Sequence, residues 1–217
     1  GPGANFLAVD AAGLTGAANG APVATRMDGI NYSGVEQLTI DTGAGNETFN
    51  IEGTTAGSNG FVQGTGGQYA RTDVRLHNGD DRVSVSSNAH PGAFSAASSD
   101  FLTGNLDDIR GALNVDLGAG RHRLFMSDEA SSHADGWTIT DTYPAVAAMP
   151  GLDSSADIFV ARVEPAGAGS APISYKAAAD GNLFDGVVYW TGAGDDTVTI
   201  DGTHYRSGAR TTTSLNT

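Results

Sequence analysis

Apolar and polar residues alternate along two stretches of this chain. Residues 38–51 read LTIDTGAGNETFNI and residues 187–200 read VVYWTGAGDDTVTI. Alternation at period two predicts strands, and the Gly-x-Gly between the runs predicts a tight turn, so each stretch is a strand, a turn and a strand. With the second turn glycine as origin, the unit recurs at Gly45, Gly79, Gly120, the eroded Ser155 and Gly194, at separations of 34, 41, 35 and 39 residues. Four residues beyond each origin stand Phe49, Val83, Leu124, Phe159 and Val198, and six beyond stand Ile51, Val85, Met126, Ala161 and Ile200. Five before stand Ile40, Val74, Val115 and Tyr189, the fourth copy being displaced by YPAVAAMPGLDS. The residues between are mostly polar and belong on the solvent side of the pleat.

A coil of this length cannot bury its own apolar face. Stacking solves this, with one rung laid on the next at about 4.8 Å and the apolar positions forming inward columns. The pattern therefore predicts an all-β fold, a right-handed parallel β-helix (β-solenoid) of about five coils with loop insertions. A β-sandwich also gives alternating strands, but it has no reason to keep turn chemistry and phase together at one spacing. Residues 1–30 read as an irregular cap or preceding coil, with Gly1 and Pro2 as the remnant of a cleaved tag, and residues 31–217 as the repeat array. The final SLNT resembles the start of another turn, so the array is expected to be truncated at both ends.

Composition narrows the function. The 217 residues are 39% hydrophobic, with 31 glycines and no cysteine, so no disulfide or thiol chemistry is available. Net charge is −14 with only 11 Lys and Arg, which argues against nucleic acid and favours cations. No apolar run is long enough for a membrane span. The five histidines lack zinc spacing, and neither a nucleophile elbow nor a phosphate loop is present. The densest ionisable group, Arg121, His122, Arg123, Asp128, Glu129 and His133, reads as a solvated loop rather than a catalytic site. Trp137, Trp190, Tyr143, Tyr189 and Tyr205 are candidates for a sugar-stacking surface, although the phase puts Tyr189 in the core.

At TGAGDDTVT, residues 191–199, and TGAGNETFN, residues 42–50, the sequence resembles the RTX (hemolysin-type) calcium-binding repeats of large bacterial extracellular and surface proteins, whose nonapeptide is G-G-x-G-x-D-x-U-x. Thr stands for the first glycine in both, and Glu47 for the Asp in the second. The resemblance implies calcium held in the turns by backbone carbonyls and carboxylates. It points to Gly192, Gly194, Asp195 and Asp196, then Asp80 and Asp81, then Asn46 and Glu47, since calcium takes six to eight oxygen ligands. The third turn has Arg121, His122 and Arg123 where the acid belongs, and the fourth lacks both glycines, so these two are expected to hold no metal. The same residue types are also ordinary turn chemistry.

The expected function is structural and non-enzymatic: a stiff acidic rod in an extracellular or cell-surface adhesin, surface-layer or matrix protein. Its expected partners are calcium ions, neighbouring repeats of the parent protein and cell-surface polysaccharide, with weak end-to-end self-association. A carbohydrate-binding module and a polysaccharide-active β-helix enzyme are the alternatives.

Overall fold

The computed structural model describes residues 8–10, 13–15, 32, 35, 37–55, 70–89, 104–140, 161–165, 171–177, 182–204 and 210–217. Two compact units divide the chain, residues 1–33 and 34–217. In the first, β1 (Ala8–Asp10) and β2 (Gly13–Thr15) pair antiparallel. In the second, the described residues contain only strands and connections, without a helix.

The repeated units lay their two strands in two different sheets. Strands β3 (Gln37–Asp41), β5 (Arg71–Arg75) and β7 (Ala112–Asp116) precede the turns and pair in parallel in one sheet. Strands β4 (Thr48–Ile51), β6 (Arg82–Val85) and β8 (Arg121–Ser127) follow the turns and pair in parallel in the other. The register matches the predicted columns for these three copies: Ile40, Val74 and Val115 are successive partners, as are Phe49, Val83 and Leu124, and Ile51, Val85 and Met126. All nine belong to one core between the sheets or pack against it. Burying each such side chain contributes roughly 1.5–3 kcal/mol, so the in-register apolar columns are the main stabilising term.

Beyond the third rung the observed order departs from five like coils. The remaining strands are β9 (Gly136–Thr140), β10 (Ala161–Pro165), β11 (Ile173–Lys176), β12 (Asn182–Trp190), β13 (Thr197–Ile200) and β14 (Thr213–Asn216). The first sheet has seven strands, ordered β13-β9-β10-β11-β7-β5-β3, and the second has five, ordered β14-β12-β8-β6-β4. β10 runs antiparallel to both β9 and β11, while every other pairing in the two sheets is parallel. Ala161, expected in a parallel column, therefore lies in the antiparallel strand; Ser155, Asp157 and Phe159 lie outside the described residues. Among the described residues no continuous coil closes the two sheets into a helix.

The fourth rung is made instead by β11 and β12. Val115 pairs with Tyr175 in the first sheet, and Leu124 and Met126 pair with Val187 and Tyr189 in the second. Tyr189 is inward as expected but extends the column of Met126, not that of Val115. The two tyrosines meet across the core with their hydroxyls 2.5 Å apart. The sequence before Asn182 reads Asp180-Gly181, with one glycine, and a register shift between Asn182 and Gly186 moves the phase. Both changes hide this rung from a search for Gly-x-Gly.

The outer face of the seven-stranded sheet carries a charge ladder. Asp41, Arg75, Asp116 and Lys176 are successive register partners, and Lys176 Nζ reaches Asp116 Oδ2 at 3.0 Å. Opposite charges on adjacent strands favour this register by roughly 0.2–1 kcal/mol per pair. One position in, Asp73 accepts hydrogen bonds from Asn114 Nδ2 at 2.7 Å and from Arg71 Nε at 2.9 Å, both buried or half-buried.

Candidate cation-binding turns

The eight candidate ligands fall at two separate corners. At the first, the turns joining β3 to β4, β5 to β6 and β7 to β8 lie one on another. Gly45 N donates to Asn78 O and Gly79 N to Ala119 O. A Cβ on Gly79 would sit 1.6 Å from Gly45 O, and one on Gly120, 1.9 Å from Gly79 O. Both glycines also have φ in the range that L side chains rarely adopt, at 156° and 131°. At Gly79 and Gly120 the origin is glycine because backbone from the neighbouring rung occupies the space of a side chain.

Asn46, Glu47, Asp80 and Asp81 meet at this corner, where their side chains tie rung to rung. Asn46 Oδ1 accepts the Asp80 N–H, Asp80 Oδ1 accepts the Arg121 N–H and Asp81 Oδ1 accepts the Glu47 N–H, at 2.9, 2.9 and 3.0 Å. His122 takes the acidic position of the third turn and is fully buried. Its Nε2 lies 3.1 Å from Gly118 O, to which it can donate, and its Nδ1 accepts from Asp81 N at 3.4 Å. Nδ1 also lies 3.3 Å from Asp81 Oδ2, but without hydrogen-bond geometry, so this contact is not a bond. Asp81 Oδ2 and Glu47 Oε2 are both shut off from solvent and without a hydrogen bond. Burial, followed by the hydrogen bond and charge of Asp81, pushes the Glu47 carboxyl up to about 7. The two carboxyls share a place where one proton or a cation offsets their repulsion.

Gly192, Gly194, Asp195 and Asp196 lie at the other corner, because β12 belongs to the five-stranded sheet and β13 to the seven-stranded one. Their turn rests on residues 128–135, between β8 and β9. Ala193 N donates to Ser131 O and Thr197 N to Asp135 O. A Cβ on Gly194 would lie 1.8 Å from His133 O, so glycine is needed here for the same reason as at the first corner. Asp196 Oδ1 accepts the Asp135 N–H at 3.0 Å, and its Oδ2 is buried without a partner. Asp195 is exposed. The fifth copy thus repeats the turn chemistry of the other three but not their place in the stack.

Asp128, Asp135 and Ser131, outside the predicted ligand set, complete this second corner, and all three are buried. Asp128 Oδ1 accepts the Leu106 N–H at 2.8 Å, and Ser131 Oγ donates to Asp135 Oδ2 at 2.9 Å. Burial first, then the charges of Asp135 and Asp107 and a hydrogen bond with Asp135, raise the Asp128 carboxyl to about 7 against the pull of the Leu106 N–H. The expected solvated loop is therefore divided: Arg121, His122 and Arg123 adjoin one corner, Asp128, Glu129 and His133 the other, with β8 between. The signal that could have found this corner is the run SDEASSHADG between two alternating stretches, a polar turn facing TGAGDD.

The orphaned carboxylate oxygens on adjacent turns fit a hard cation in chemistry. In number they fall short, since calcium takes six to eight oxygens and no three His, Asp or Glu side chains converge as a ligand set among the described residues. Carbonyls or water would have to complete the shell. The aromatic candidates are placed differently: Trp137 and Tyr189 are in the core, and Trp190 packs half-buried on Phe125. Tyr143 and Tyr205 lie outside the described residues. Comparison with protein-family models, curated proteins and solved structures finds no match to this chain.

Proposed function

We propose that this chain is a structural repeat segment, a stiff acidic rod of right-handed parallel β-solenoid type that extends by adding rungs. It is non-enzymatic and belongs to a secreted or cell-surface bacterial protein of the adhesin, surface-layer or matrix kind. The observation that carries this reading is the unbroken register of the glycine origins Gly45, Gly79 and Gly120 with their apolar columns. Such an architecture propagates through nearest-neighbour rungs, and neighbouring repeats of the parent protein are its natural contacts.

Calcium is the proposed ligand of the acidic corners. The support is the orphaned oxygens of Glu47, Asp81 and Asp196 and the raised carboxyls of Glu47 and Asp128. Ions that bind the folded corners and not the unfolded chain stabilise the rod by mass action, most strongly where calcium is plentiful outside the cell. Thermal unfolding followed by circular dichroism in millimolar calcium, magnesium or chelator tests this. A rise in melting temperature in calcium alone supports it. Identical melting in all three removes calcium from the reading and leaves the corners as hydrogen-bonded turns.

A further inference from the structure

The outer face of the five-stranded sheet carries an arrangement that neither the core nor the acidic turns use. Arg82 and Arg123 are direct register partners on β6 and β8, on the side of each strand opposite the core residues Val83 and Leu124. Neither makes an ion pair among the described residues. Like charges facing each other on adjacent strands are destabilising, so an unpaired arginine couple is a cost that an anion between the two would remove. On the next strand the bulge in β12 turns Phe184 and Asp185 outward beside them, with Gly186 at φ 109° absorbing the bend. Bulges of this kind re-aim side chains.

Phe184 is 39% exposed. The Arg121 guanidinium lies 4.1 Å from the centre of its ring and that of Arg210 5.6 Å. Asp185 Oδ1 accepts from Arg121 Nη2 at 2.6 Å, which holds Arg121 in place. Two of the 11 basic residues of a chain with net charge −14, Arg121 and Arg210, thus lie over one half-exposed ring, and Arg82 and Arg123 stand on the neighbouring strands of the same sheet. Two acids adjoin them, Asp185 and Asp80, and each already accepts a hydrogen bond from Arg121.

We propose that this face binds an acidic polysaccharide, with uronate carboxylates taken by Arg82 and Arg123 and the exposed part of Phe184 against the apolar face of a sugar ring. The cations are all arginine, whose planar fork matches a carboxylate in two-point contact. A uronate polymer presents one carboxylate per sugar, a spacing of the same order as that between neighbouring strands. Nucleic acid fits less well, since it needs a continuous basic track to offset its dense phosphates, and here a −14 chain opposes it over longer range.

Affinity electrophoresis of the whole chain through gels containing polygalacturonate, neutral dextran or single-stranded DNA tests the proposal, with chelator present so that calcium cannot bridge acid to acid. Retardation is expected in polygalacturonate alone. It should fall at least tenfold in apparent affinity in the Arg82→Gln/Arg123→Gln double variant and about threefold to tenfold in Phe184→Ala, with circular dichroism melts confirming that both variants fold. Three results would overturn it: no retardation by polygalacturonate, retardation unchanged in both variants, or equal retardation by DNA, which would mark generic polyanion attraction. The rod reading stands or falls separately, because the patch is tested without calcium and without reference to rung stacking.

Discussion

Asp128 gives the sharpest quantitative expectation. The residue is 3% exposed, and its carboxyl is raised from 3.8 to about 7 by burial and by Asp135 and Asp107. Between those two values the folded chain keeps a proton that the unfolded chain has released, so stability falls as pH rises through this window. Each pH unit in it is worth ~1.4 kcal/mol, which gives a ceiling of ~4 kcal/mol lost between about pH 4 and pH 8. Asp128→Asn keeps an oxygen for the Leu106 N–H, can donate to Asp135 and carries no charge. Urea unfolding monitored by circular dichroism at pH 5 and pH 8, with chelator, should show the wild type clearly weaker at pH 8. The variant should lose much of that difference and exceed the wild type at pH 8 by a few kcal/mol. A residual slope is expected from Glu47, which is raised from 4.5 to about 7 and has the same sign. Equal wild-type stability at both pH values, or a variant with the full wild-type slope, would refute the reasoning.

Other perturbations test other parts of the structure. Calcium and protons compete for the same carboxylates, so any calcium-induced rise in melting temperature should be larger at pH 8 than at pH 5, and a thermal shift series over pH reads this directly. Gly79→Ala drives a methyl to within 1.6 Å of Gly45 O at a disfavoured φ, and it should cost about 3 kcal/mol or more by chemical denaturation. Tyr189→Phe strands the buried Tyr175 hydroxyl and should cost about 1–3 kcal/mol, while the Tyr175→Phe/Tyr189→Phe pair recovers part of that loss, as a double-mutant cycle would show. Ile200 and Leu215 on the outermost strands are 50% and 37% exposed. Weak self-association should therefore appear in concentration-dependent scattering and should weaken in Ile200→Lys/Leu215→Lys, since charges on edge strands block pairing.

Three rungs could be read from residues alone because their phase has a physical cause at every position. Glycine is forced where Gly79 and Gly120 meet neighbouring backbone, and apolar residues are forced four and six positions later, where the pleat turns them inward. The fifth copy misleads because Gly192-x-Gly194 specifies a turn and not the corner it occupies. Both corners bring rung backbones equally close, so both select the same residues. The fourth rung was hidden by the bulge of β12, which breaks the phase, and by β10, whose antiparallel direction leaves no signal in alternation. The ligand candidates divided along the same line. Asn46, Glu47, Asp80 and Asp81 came together because their copies share a corner, whereas Asp195 and Asp196 joined Asp128 and Asp135, which belong to a turn with no Gly-x-Gly. The ladder of Asp41, Arg75 and Asp116 was visible as charges four residues before each origin; its meaning depends on knowing that the strands are neighbours.

The two sheets are unequal in width. The first runs on past β11 through β10, β9 and β13, while the second adds β14 alone after β12. β10 is antiparallel to β11 on one side and to β9 on the other, so its two reversals cancel and β13 runs in the direction of β3. β14 likewise runs in the direction of β4. The edge at β13 and β14 therefore keeps the polarity of the edge at β3 and β4, and a strand added there in parallel continues the direction of the first rung.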